Sequence, residues 1–137
     1  MNDGELLKLA REAMEAAYVP YSHYPVGACL LAEDGRAFTG CNVENASYGA
    51  TICAERTALV KAVSEGARRF VAIAIAARGS TPYPCGMCRQ ALNEFSCKMR
   101  VLVTWSDQDD AIAGTAQTTL DALLPNSFGP ESLGEKA

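Results

Sequence analysis

Phe70-Val71-Ala72-Ile73-Ala74-Ile75-Ala76-Ala77 is apolar at every position. A strand with one solvated face alternates in polarity. One that is apolar throughout is covered on both faces, as in the parallel part of an α/β sheet. The run is far too short to cross a bilayer. Upstream, Ile52 to Glu65 reads as a helix that Thr51 is placed to cap and Gly66 to end. Downstream, 79–84 is a loop, a second helix runs from Cys85 to Phe95, and Arg100 to Trp105 is the next strand. Toward the N-terminus, Val26–Ala32 and Ala37–Val43 form a hairpin about Glu33-Asp34-Gly35-Arg36, where glycine supplies positive φ. Before it, Asp3 to Tyr18 spaces Leu6, Leu7, Ala10, Met14 and Ala17 at helical intervals, and Pro20 stops the helix. Residues 45–50 form a polar loop and 106–114 an acidic one. Thr115–Thr119 is a last short strand, and Leu120–Leu124 a turn of helix. This order implies parallel strands with helices packed on them, and the hairpin makes the sheet mixed. The expected fold is a three-layer α/β/α sandwich on a mixed sheet of about five strands. It forms one domain over residues 1–137, with 134–137 a loose tail.

An apolar fraction of 49% can build one core, and 20% charged residues do not suggest disorder. The formal net charge is −4 and Arg68-Arg69 is the only adjacent basic pair, so no stripe exists to follow a phosphate backbone. Nucleic acid is not an expected partner; a small, weakly charged molecule is. No basic start followed by an apolar stretch and a cleavage site opens the chain, so the expected location is the cytoplasm. There, six cysteines point to metal or catalysis rather than to disulfides.

Three cysteines stand apart: Cys53-Ala54-Glu55, and Pro84-Cys85-Gly86-Met87-Cys88. Cys85 and Cys88 share a helix face at i, i+3, and Cys53 opens the other helix. A positive helix end favours thiolate, the form that binds zinc. Three sulfurs leave the fourth tetrahedral corner open to water, as in catalytic sites, whereas a structural site closes with four protein ligands. Cys29, Cys41 and Cys97 read as small hydrophobes in strands or at a helix end, and the one histidine, His23, has no ligand-spaced partner. Glu55, beside a ligand, is placed to act on the water. Three thiolates and Zn²⁺ sum to −1, which opposes acidification of that water. A guanidinium, Arg56 or Arg89, is expected to draw charge from sulfur.

The pattern Cys-x-Glu with Pro-Cys-x-x-Cys is a signature of zinc deaminases. Together with 21-YSHYPVGA-28, 40-GCNVENASYG-49, 53-CAERTA-58 and 84-PCGMCRQ-90, the chain closely resembles the small homotetrameric cytidine deaminases from about Leu6 to Leu133. The resemblance implies hydrolysis of cytidine and 2′-deoxycytidine to uracil nucleosides and ammonia, a step of pyrimidine salvage. It implies one zinc per subunit on Cys53, Cys85 and Cys88, with Glu55 as the proton shuttle. It places Asn42 and Glu44 on the ribose 3′-hydroxyl and the Ala54 amide on the pyrimidine O2. Tyr24 stands where the family usually has phenylalanine against the ring, and its hydroxyl needs a partner. The segment 123-LLPNSFGP-130 resembles the one that carries a phenylalanine, here Phe128, into a neighbouring subunit's site. Tyr48 is placed to contribute across an interface in the same way. On its own, Phe128 reads as a core plug. Deamination of another aminopyrimidine or aminopurine, a zinc-stabilised interaction domain, and polynucleotide editing are the competing readings. The Asn42/Glu44 pair, the three-ligand count and the acidic charge respectively argue against them.

Overall fold

The computed structural model describes residues 1–135. Five strands form one sheet in the order β2-β1-β3-β4-β5: β1 Val26–Ala32, β2 Ala37–Cys41, β3 Phe70–Arg78, β4 Arg100–Ser106 and β5 Ile112–Thr119. Only β3–β4 is a parallel pair; β1–β2, β1–β3 and β4–β5 are antiparallel. Helix α1 (Asp3–Met14) covers one face, where Leu6 and Ala10 meet Cys29, Leu31, Ala72, Ala74 and Leu102. Helices α2 (Ala54–Ser64), α3 (Gly86–Asn93) and α4 (Leu120–Leu123) cover the other, around Leu30, Ile73, Ile75, Val101 and Val103. The apolar run at Phe70 is therefore the central strand, with Ala72 to Ala77 buried from both sides. Three layers on a mixed five-stranded sheet is the fold expected.

Several boundaries differ for identifiable reasons. Helix α1 ends at Met14 instead of Tyr18, because Tyr18 forms an isolated β-bridge with Val43: its N–H donates to Asn42 O at 3.0 Å, and Glu44 N–H donates to Tyr18 O at 2.9 Å. Helix α2 starts at Ala54 instead of Ile52. Ile52 exchanges both backbone hydrogen bonds with Val43, and Thr51 accepts the Asn45 N–H through Oγ1 instead of capping the helix. Strand β5 is longer than expected. The acidic loop before it is a built turn, with Asp107 Oδ1 accepting from Asp109 and Ala111 and Asp110 paired to Arg78. Of the expected loose tail, Gly134 N–H donates to Glu131 O and Glu135 N–H to Pro130 O; 136–137 lie outside the described residues. No helix among the described residues is long and apolar enough to cross a membrane.

Candidate active site

Strands β2 and β3 point the same way but are separated by β1. Helix α2 follows β2 and α3 follows β3, so both helix N-termini open at one end of the sheet. The parallel strands that the element order suggests are thus not neighbours here, and they need not be for the helix ends to meet. Cys53 is the N-cap of α2 and Cys85 that of α3; neither makes a side-chain capping bond. The first-turn amides thus have no intrahelical acceptor, and two positive helix ends lie at the thiols. Helix α2 reaches β2 by close packing at Gly40. A Cβ there would lie 2.5 Å from Ala58 N and 2.7 Å from Ala54 O.

The sulfurs of Cys53, Cys85 and Cys88 all lie within 4.8 Å of one another. Cys53 to Cys85 is 3.8 Å and Cys85 to Cys88 is 3.6 Å. A tetrahedral centre with Zn–S bonds of about 2.3 Å needs sulfurs about 3.8 Å apart, which the Cys53–Cys85 and Cys85–Cys88 pairs match, so the trio is placed to hold zinc. Arg56 extends a guanidinium nitrogen to 3.6 Å from the Cys53 sulfur. Arg89, the other candidate, donates instead to Pro84 O and Leu123 O. Hydrogen bonding from Cys88, then from Arg56, brings the Cys53 thiol down to about 5, while the same contact with Cys53, then burial, holds Cys88 far above its ordinary range. Glu55 follows in the first turn of α2 with 5% of its surface exposed. Burial lifts its carboxyl to about 7, and the Cys53 thiolate adds to the rise.

Tyr24, Asn42, Cys53, Ala54, Glu55 and Cys85 line one cavity of about 350 Å³, a volume suited to a small molecule. Cys88 is buried behind it. Asn42 braces the wall: its Oδ1 accepts from Val26 N–H and its Nδ2 donates to Tyr24 O, both at 2.9 Å. Glu44 lies in an adjoining hollow with Tyr21, Ser22 and Tyr48, which shares Thr51 with the main cavity. Its carboxylate accepts the Tyr21 and Ser22 amides at 3.0 and 3.1 Å. Hydrogen bonding from the Ser22 side chain, then from these amides, holds it below the ordinary carboxylate range. Tyr48 and Phe128 do not line the cavity and are 75% and 62% exposed, so Phe128 is not the core plug its composition suggests. The remaining wall is Val26, Thr51 and residues 80–83, which sequence reasoning did not single out. Their signal was faint: a loop that leads straight into Pro84-Cys85 has to pass beside the metal ligands. All six cysteines are free; Cys29 is fully buried, Cys41 and Cys97 half-buried.

Three sulfurs at two helix ends, with a buried carboxyl beside them and an open cavity in front, define a zinc-dependent hydrolytic enzyme. Residues 1–104 match the family model described as the cytidine and deoxycytidylate deaminase zinc-binding region. The chain is 47% identical to a cytidine deaminase of Sporosarcina psychrophila, across 100% of this chain and 98% of that one. It is 51% identical to a cytidine deaminase of Mycobacterium tuberculosis, across 90% and 87%. The crystal structure of cytidine deaminase from Burkholderia pseudomallei superposes with a TM-score of 0.83 at 41% identity, covering 93% of this chain and all of the other. The chain belongs to the cytidine and deoxycytidylate deaminase family, and its cofactor is zinc.

Proposed function

We propose that this protein hydrolyses cytidine and 2′-deoxycytidine to the uracil nucleosides and ammonia, serving pyrimidine salvage in the cytoplasm. The observation that carries the reading is the buried Glu55 beside three convergent sulfurs in a nucleoside-sized cavity. When bound by Cys53, Cys85 and Cys88, zinc supplies the Lewis acidity that makes a water nucleophilic near neutral pH. Glu55 takes a proton from the attacking water, delivers it to N3 as C4 becomes tetrahedral, then takes the remaining proton from the new C4 hydroxyl and passes it to N4. The C4–N4 bond then breaks, ammonia leaves, and C4 keeps the oxygen as a carbonyl. A carboxyl with its pKa near 7 suits a group that must both accept and donate. Arg56 relieves the charge on the Cys53 sulfur. Ala54 N–H, free at the first turn of α2, binds O2; Tyr24 flanks the ring; Asn42 and Glu44 hold the 3′-hydroxyl.

Among the described residues, those lining the cavity include no lysine or arginine, and the neighbouring hollow carries the Glu44 carboxylate. Such a lining favours an uncharged nucleoside over a nucleotide, whose phosphate would need a cation. The exposed Tyr48 and Phe128 suit a homotetramer in which each subunit completes a neighbour's site. The test is to mix the purified protein with cytidine, with cytidine 5′-monophosphate, and with cytidine after chelation and zinc restoration. Uridine formed from the nucleoside alone, lost on chelation and recovered with zinc, is the expected result. No uridine from zinc-loaded protein would refute the reading.

A further inference from the structure

The outer wall of the cavity is the loop 79–84, and its own chemistry ties it poorly. Pro82 and Pro84 have no amide proton. Among the described residues, the loop's backbone-to-backbone hydrogen bond is Gly79 N–H to Ser106 O at 2.9 Å. Side chains hold it at two further points. Arg89 Nε donates to Pro84 O at 2.6 Å, beside the metal ligands, and the Tyr24 hydroxyl donates to Ser80 O at 3.0 Å, across the cavity. Tyr24 is a fixed post for this second tie. Its N–H donates to Ser22 Oγ at 3.1 Å and its carbonyl accepts Asn42 Nδ2 at 2.9 Å. Gly79 sits against the post: its φ is +124°, and a Cβ there would lie 3.7 Å from the tyrosine ring.

We propose that the Tyr24 hydroxyl is a positioning group that latches the 79–84 loop at Ser80, fixes the width of the cavity, and so limits the size of base the site accepts. The proposal rests on the nucleoside-deaminase reading and assigns this hydroxyl a task separate from the ring's contact with substrate. A phenylalanine would keep the ring and release the loop. In zinc-loaded Tyr24→Phe, KM for cytidine rises about three- to tenfold, the scale of one lost hydrogen bond. The turnover number stays within about twofold, the signature of binding lost equally from the bound substrate and the transition state rather than of lost chemistry. The preference for cytidine over 5-methylcytidine shrinks as the wall gives way. Independently of activity, hydrogen exchange at the Gly79 amide accelerates about three- to tenfold, because the loop opens locally. Unchanged exchange overturns the latch. Faster exchange with unaltered KM and base preference overturns its role in setting width, and zinc loss with a fall in turnover assigns the hydroxyl to the metal site instead. If the parent protein leaves cytidine intact while exchange still responds to the substitution, the proposed function fails and the latch stands.

Discussion

A carboxyl group with only 5% of its surface exposed costs the fold when it ionises, and Glu55 is the case in point. In the unfolded chain it titrates near 4.5; in the fold burial raises it to about 7. The folded chain therefore holds this proton more tightly. The stability Glu55 contributes is complete below 4.5 and is lost as pH rises through about 7, a swing of about 3 kcal/mol at most. Metal-stripped Glu55→Gln has no such ionisation. Its stability relative to the metal-stripped parent should grow between about pH 4.5 and about pH 7.5, measured by urea unfolding. A constant difference would mean that the carboxyl is not the strained group. With zinc present, the same variant should keep the metal and lose about 10²- to 10⁴-fold in turnover, the usual worth of a positioned proton shuttle. Arg56 acts on a neighbouring atom. Arg56→Ala removes the donor 3.6 Å from the Cys53 sulfur. Zinc affinity should fall about 10- to 100-fold, and the acidic limb of the pH–rate profile should move to higher pH, since a more negative thiolate set makes the attacking water harder to ionise. An unaltered affinity and profile would remove Arg56 from the charge balance.

At the scale of elements, the site depends on how closely α2 lies on β2. Gly40→Ala would push a methyl group into the α2 backbone at Ala58 N and Ala54 O, neither of which can rotate away. The helix that carries Cys53 and Glu55 must then lift. A loss of about 1–3 kcal/mol and weaker zinc binding should appear together in thermal unfolding and metal titration; lost stability with intact zinc affinity would separate the packing from the site. This dependence shows what sequence could and could not convey. The central strand was legible because burial on both faces writes an unbroken apolar run. The three sulfurs were legible because their chemistry dictates residue type and helical spacing. The start of α2 was misplaced because Thr51 looks like a cap in isolation, while Asn45 and Val43 claim Thr51 and Ile52 through long-range hydrogen bonds. The loop 80–83 was passed over for a similar reason. Its residues form no spacing that marks a site, and they line the cavity through a fold in which Tyr24, far upstream, reaches Ser80.

For the whole molecule, the question is how many chains make one site. Phe128 is exposed on its own chain and absent from the lining of that chain's cavity. The zinc helix nevertheless holds its backbone: Gln90 Nε2 donates to Phe128 O at 2.8 Å, and Asn93 Nδ2 reaches Ser127 Oγ at 3.2 Å. An aromatic ring held at the backbone and bare at the side chain is suited to a surface other than its own. If it covers a neighbour's cavity, two differently damaged chains should repair each other. Phe128→Ala retains Glu55 and lacks the proposed cover; Glu55→Gln retains the Phe128 ring and lacks the proposed shuttle. Each alone should be impaired, Glu55→Gln far more than Phe128→Ala, with folding preserved because the Phe128 ring is solvent-exposed. After the two are unfolded together and refolded as a mixture, mixed assemblies contain sites with an intact Glu55 from one chain and an intact Phe128 from the other. Activity should then exceed the average of the two separately refolded variants, and the excess should vanish on dilution to monomers. Activity that stays at that average would place Phe128 in service of its own chain, and the shared site would have to be abandoned.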